Sequence, residues 1–275
     1  MTRPLHTSGS PGFADDFVET MLGHALDAGT AAGTPVFGIT GLQGSGKSTL
    51  AAQIADAAAR RSLRTALLSI DDVYLPQAER RQLARNVHPL LATRGPPGTH
   101  DVVLALDVLD ALRAGRDTAL PRFDKLSDER LPIAQWPRIH GSGDLVILEG
   151  WFLGTPAEDD AALKMPINAL ERGEDTDGTW RRWCNKALAR DYPALWDRID
   201  RLLFLQPPGF DIVPDWRWQQ ERQLQSASSS STGMDRVQVG RFVQHFERIS
   251  RQALRTLPGI ADMTIALDAD RKPVR

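Results

Sequence analysis

One stretch, GLQGSGKST at residues 41–49, constrains the fold more than any other part of the chain. It satisfies G-x-x-x-x-G-K-[ST] with Gly41, Gly46, Lys47 and Ser48. Such a loop works only between a strand that ends and a helix that begins, and both flanks comply. VFGIT (36–40) is an apolar run rich in β-formers, and the stretch from Lys47 to Arg61 is alanine-rich and helical in pattern. Phosphate oxygens have to be approached by backbone N–H groups, which side chains would obstruct. Gly41, Gly44 and Gly46 leave that approach open and accept positive φ angles. Lys47 supplies a point charge for the β- and γ-phosphates, Ser48 a hydroxyl for Mg²⁺, and the helix its N-terminal dipole. Ser45 and Thr49 are counted with the loop. A chance match in a chain of this length has odds of roughly one in a hundred. The expectation is a nucleotide site for ATP and Mg²⁺.

The remaining pattern repeats the strand–helix alternation. Buried strands are read at 64–70, 144–150, 201–206 and 263–267, and helices at 13–28, 211–224 and 235–256. Residues 75–116 read as helical at both ends, broken by RGPPGTHD (94–101). Alternation of this kind argues for a mainly parallel sheet with helices on both faces, an α/β fold. With 275 residues and 41% apolar composition, one domain over 13–275 suffices, after a disordered leader at 1–12. The polar stretch SASSSSTG (226–233) is a hinge or a plain surface loop. The net charge of −2 gives no basic field for nucleic acid, and no run approaches the ~18 apolar residues of a membrane span. A single cysteine, Cys184, cannot form an intrachain disulfide, which points to a reducing, cytoplasmic setting. The seven tryptophans read as core and lid packing.

Carboxylates then fall where a parallel sheet places its ligands, at the C-terminal ends of strands. The second strand delivers Asp71 and Asp72. A phosphotransferase needs a carboxylate to orient and deprotonate an acceptor hydroxyl, and a helix starting near Leu75 needs a cap, so one aspartate is expected in each role. The third strand, DLVILEG, ends in Glu149, placed to hold Mg²⁺ through water, whereas Asp144 lies at the opposite edge.

The set GLQGSGKST, SIDDVYL (69–75), RGPPGTHD, PRFDK (121–125), DLVILEGWFLG (144–154) and DWRWQQE (215–221) resembles the D-glycerate 3-kinase family of the plant and fungal type. More widely it resembles the uridine kinase, phosphoribulokinase and pantothenate kinase group. The likeness runs from about Val36 to Val243. It implies a three-layer P-loop NTPase fold, ATP·Mg²⁺ as donor, Asp71 as catalytic base, and a helical lid at about 211–234. Arg217 or Arg222 in that lid would neutralise charge on the transferred phosphoryl group, unless they sit on a solvated helix face.

The acceptor the resemblance implies is D-glycerate, a small molecule whose carboxylate calls for a cation or N–H donors. Arg94 offers a planar fork, Lys125 an ammonium, and His100 and Asp101 partners for hydroxyls, with Asp72 grouped beside them. His100 is equally readable as a cap for the 101–114 helix, and Lys125 as an exposed loop lysine. Two departures stand out: Val73 replaces the family's usual phenylalanine, and HFERISRQ (245–252) replaces its proline- and tyrosine-bearing stretch. A kinase of the same group with another acceptor, such as a nucleoside, a pantothenate-like molecule or a sugar, stays open. So does an ATP-binding regulatory protein with little turnover. Oligomeric state is not legible. Lys47→Ala is expected to weaken ATP affinity or transfer severely in steady-state kinetics, and unchanged kinetics would undo the nucleotide-site assignment.

Overall fold

In a computed structural model, residues 12–28, 33–227 and 233–274 are described. The chain runs α1 (Asp15–Leu26), β1 (Val36–Gly41), α2 (Lys47–Arg60), β2 (Thr65–Ser69), α3 (Gln77–Asn86), α4 (Val102–Arg113). Four two-residue strands follow: β3 (Thr118–Ala119), β4 (Phe123–Asp124), β5 (Glu129–Arg130) and β6 (Arg138–Ile139). Then come β7 (Leu145–Gly150), α5 (Ala169–Glu174), α6 (Thr179–Asp191), α7 (Pro193–Trp196), β8 (Arg201–Gln206), α8 (Val213–Ala227), α9 (Arg236–Thr256) and β9 (Met263–Ala266). The main sheet has the order β2-β7-β1-β8-β9, and every pairing in it is parallel.

The period-2 alternation of each strand sorts its side chains onto two faces. Phe37, Ile39, Leu145, Ile147, Leu203 and Leu205 meet α1 and α2 on one side. Val36, Val146, Leu148, Leu202 and Phe204 meet α4 and α9 on the other. Helical spacing supplies the matching stripes, Leu50, Ala51, Ile54, Ala57 and Ala58 on α2 and Val102, Ala105, Val108, Leu109 and Leu112 on α4. Burial of each larger aliphatic or aromatic side chain contributes ~1.5–3 kcal/mol. β1 and β7 are buried along their whole length, which is why both read as continuous apolar runs. α9 carries a capping box, Asp235 with Gln238, at its start.

All five strands read from the sequence are present, with ends shifted by no more than a residue or so. The 75–116 region is helical at both ends, with a 3₁₀ turn at Pro89–Ala92 between them. Two further ribbons carry no signature in the sequence: β3 pairs antiparallel with β6, and β4 with β5. Two-residue strands are too short to display a period. The leader expected at 1–12 falls outside the described residues except for Gly12, as does the serine run 228–231. No helix among the described residues is long and apolar enough to cross a membrane.

Chain order explains where a site forms. β1 connects through α2 to β2 at one side, and β8 lies at its other side. The crevice beyond the C-terminal ends of β2, β7, β1 and β8 is therefore the topological switch point of the sheet.

Candidate active site

The loop after β1 enters α2 through Gly46, which has φ 90° and acts as a left-handed N-cap. Gly44 has φ 83°, and a Cβ there would come within 2.6 Å of the Cβ of Trp216, so this position admits only glycine. α2 has no side-chain cap and no acidic residue in its first turn. Its N-terminal N–H groups thus keep their capacity for an anion. Ser45 Oγ, Thr40 Oγ1 and both polar atoms of Gln43 are buried without a partner among the described residues. Buried polar atoms of that kind are normally satisfied, and a polyanionic ligand in the loop would supply acceptors. Ser48 donates to Glu149 Oε1 at 3.0 Å across from the end of β7. No cluster of three or more His, Cys, Asp or Glu able to hold a metal occurs among the described residues. Mg²⁺ needs none, since one carboxylate, one hydroxyl, phosphate oxygens and waters satisfy it. Burial lowers the Lys47 ammonium pKa, while Glu149 and Asp71 act to keep it charged.

The two aspartates after β2 separate cleanly. Ser69 and Asp72 form a capping box for the 3₁₀ turn Ile70–Val73, in which Asp72 accepts from Ser69 N at 3.0 Å. Arg122 lies 3.4 Å from the same carboxylate. Burial raises Asp72 to a pKa of about 6, with Arg122 acting against it. Asp71 Oδ1 accepts from Tyr74 Oη at 2.6 Å, and Oδ2 accepts from Lys125 Nζ at 2.6 Å. Burial alone would raise the Asp71 pKa, but the Lys125 charge and hydrogen bond outweigh it and hold the carboxyl below its ordinary range. Asp71 is thus the carboxylate bonded closely by a lysine, and Asp72, grouped with acceptor residues from the sequence, is engaged as a cap with Arg122 farther off.

Lys125 stands at the tip of the β4–β5 ribbon, with its side chain 59% exposed. The ribbon is fastened beneath it. Arg80, 1% exposed, bonds the carbonyls of Leu75, Ala92 and Asp128, and pairs with the Asp128 carboxylate at 2.9 Å. Arg94, expected to offer its fork to a substrate, pairs instead with Asp128 and reaches the Lys125 carbonyl at 3.3 Å. Asp101, not His100, caps α4, accepting from Leu104 N at 3.0 Å and pairing with Arg130 at 3.1 Å. His100 is buried with its ring 4.9 Å from that of Tyr74. Arg217 pairs with Glu221 at 3.1 Å and lies over the Phe242 ring, while Arg222 is exposed. Burial lowers the Arg217 pKa, and Asp71 is among the charges it senses.

Several residues of this region carry no functional signal in the sequence. Tyr74 and Arg122 lie inside SIDDVYL and PRFDK, so the motifs contained them without assigning them a task. Asp128 and Tyr192 sit in unremarkable text. Arg271, in the turn after β9, donates to the Gly44 carbonyl at 2.6 Å and covers the Trp216 ring at 5.0 Å, bracing the loop from the far end of the chain.

A strand-end loop open to phosphate, a hydroxyl–carboxylate pair for a metal and a carboxylate beside a lysine define an ATP-dependent kinase of the α/β P-loop class. Comparison with known proteins agrees. Uncharacterized kinase mug58 of Schizosaccharomyces pombe is 34% identical over 253 residues, 87% of this chain and 90% of the relative. The chloroplastic D-glycerate 3-kinase of Arabidopsis thaliana is 27% identical over 264 residues, 87% of this chain and 54% of that protein, so the chain spans about half of its length. The structure of D-glycerate 3-kinase from Cryptococcus neoformans superposes with a TM-score of 0.75 at 26% identity, covering 95% of this chain and 96% of that one. No protein-family model matches the chain. The chain belongs to the D-glycerate 3-kinase family of P-loop kinases.

Asp71→Asn is expected to abolish phosphoryl transfer with ATP affinity nearly intact. Asp72→Asn, which keeps an oxygen for Ser69 N, should retain most of the turnover. Coupled assays with ATP titration separate the two, and an active Asp71→Asn variant removes Asp71 from the base role. The pH dependence follows from the Lys125 contact. With Lys125→Met only the desolvation effect remains dominant, the Asp71 pKa rises, and the acid limb of kcat/KM moves to higher pH. A limb that stays in place shows that Lys125 does not control this carboxylate.

Proposed function

We propose that this kinase transfers the γ-phosphate of ATP·Mg²⁺ to a hydroxyl of D-glycerate, giving 3-phosphoglycerate. The observation that carries the reading is the Lys125–Asp71 pair: a cation and a base, 2.6 Å apart, beside the phosphate loop. A small acid with a nearby hydroxyl matches both, its carboxylate on Lys125 and its hydroxyl on Asp71. The glycerate kinases among its relatives support the same acceptor.

In this reading the loop N–H groups and Lys47 hold the phosphates. Mg²⁺, held by Ser48 and Glu149, supplies charge neutralisation on the phosphate oxygens. Asp71 takes the hydroxyl proton as the acceptor oxygen bonds to the γ-phosphorus and ADP leaves. Arg217, from the α8 lid, contributes positive charge toward the transferred group. The single domain spans 13–275, and the lone cysteine fits a reducing compartment such as the cytoplasm.

The test is an ADP-release panel with D-glycerate, L-glycerate, pantothenate, uridine and simple sugars. Turnover is expected with D-glycerate and not with the uncharged acceptors. Silence with D-glycerate while another acceptor is active would sink the assignment, and silence with all of them would favour a nucleotide-dependent regulator.

A further inference from the structure

Behind Asp71 lies a chain of hydrogen bonds that ends on an unused donor. Gly98 N donates to Tyr192 Oη at 2.8 Å, and Tyr192 Oη lies 2.7 Å from His100 Nδ1. Tyr192 is fully buried and His100 is 5% exposed. Burial pushes the Tyr192 phenol pKa upward, so it keeps its proton. That proton needs an acceptor, and among the described residues His100 Nδ1 is the one Tyr192 Oη has. If Nδ1 carried hydrogen, the phenol proton would be stranded and His100 Nε2 would be a stranded acceptor as well. With Nδ1 accepting, only one group is left over, Nε2–H, so this tautomer wins. Burial lowers the imidazole pKa to about 4, which leaves the ring neutral at physiological pH. Nε2 is buried and has no hydrogen-bond partner among the described residues.

The ring carrying this donor packs on Tyr74, whose hydroxyl bonds Asp71, and it senses the Asp71 charge. We propose that His100 is a neutral donor of fixed tautomer whose Nε2–H binds an oxygen of the acceptor, and that Tyr192 is the positioning residue that fixes it. The proposal rests on the acceptor site described above, and the ligand chemistry it names is an oxygen of a small hydroxy acid, carboxylate or hydroxyl. A neutral donor fits here better than a cation: it selects an oxygen without competing with Lys125 for the Asp71 carboxylate. A site built this way rejects analogues that lack the oxygen, because the donor would stay buried and unpaired.

The experiment is ¹⁵N NMR of the labelled full chain, with the His100 signals assigned by their loss in His100→Gln. The free enzyme at neutral pH should show the neutral Nε2–H form, and saturating D-glycerate should shift the Nε2–H signal. Tyr192→Phe should convert the signal to a tautomer mixture and raise the acceptor KM about tenfold, with the ATP KM unchanged. His100→Leu should raise the acceptor KM by a similar factor, while His100→Gln, which restores an N–H, should stay within about threefold of the parent. An Nδ1–H or charged ring in the free enzyme overturns the proposal, whatever the acceptor proves to be. So does an Nε2–H signal unmoved by the acceptor that supports ADP release. Should D-glycerate fail and another hydroxy acid both turn over and move the signal, the glycerate assignment falls and the His100 assignment stands. The spectrum of the parent protein decides the tautomer even if Tyr192→Phe does not fold.

Discussion

Everything at this site depends on a helix that begins without a cap. The N-terminal N–H groups of α2 are exposed to whatever occupies the loop, because Gly46 stands at the cap position and offers no side-chain acceptor. Leaving such groups unsatisfied is costly unless a ligand or water completes them. The surrounding structure keeps the loop in that state: Gly44 lies against Trp216, and Arg271 holds the Gly44 carbonyl. α8 therefore braces the loop through Trp216, and the turn after β9 braces it from 227 residues later in the chain.

The charges around the loop hold each other in place by the same economy of partners. Lys47 and Lys125 face Asp71 and Glu149, and each ionised group loses hydration that its neighbours offset. Removing one member leaves an opposite charge uncompensated, so effects at these residues will be coupled rather than additive. Arg80 extends this logic below the surface. A nearly fully buried guanidinium satisfied by three carbonyls and a carboxylate ties α3 and the Pro89–Ala92 turn to the ribbon that carries Lys125.

The sequence was most legible where local chemistry and global fold demand the same residues. Five strands, the loop, and the placement of Glu149 and Asp71 at strand ends followed from apolar runs and glycine spacing. The β3–β6 and β4–β5 ribbons did not, because pairing between distant two-residue segments leaves no periodic trace. Arg94 shows the limit well. Its fork suits a carboxylate, and in the fold a carboxylate takes it, but the partner is Asp128 of the same chain. Residue type announced the interaction without announcing whose oxygen would answer. Tyr192 is the opposite case: nothing around it in the sequence signals chemistry, and its role follows only from the buried distance to His100.

Asp71 and Asp72 show why adjacency in sequence is a poor guide to role. After β2 the chain enters a 3₁₀ turn, so neighbouring side chains diverge by about a third of a revolution. One carboxylate turns back to close the turn on Ser69 N, and the other meets Tyr74 and Lys125. Asp72 is pushed up to about 6 and Asp71 is held below its ordinary range, although they share nearly the same burial. The difference lies in their cations. Lys125 bonds Asp71 directly at 2.6 Å, whereas Arg122 stands 3.4 Å from Asp72 and spends its other donors on the carbonyls of Pro121 and Leu67. A base for proton abstraction has to be ionised before the acceptor arrives, and of the pair only Asp71 is placed to be so well below neutral pH. That division of labour ties the cap that forms the turn to the chemistry at its edge, since the turn that Asp72 closes is what aims Asp71.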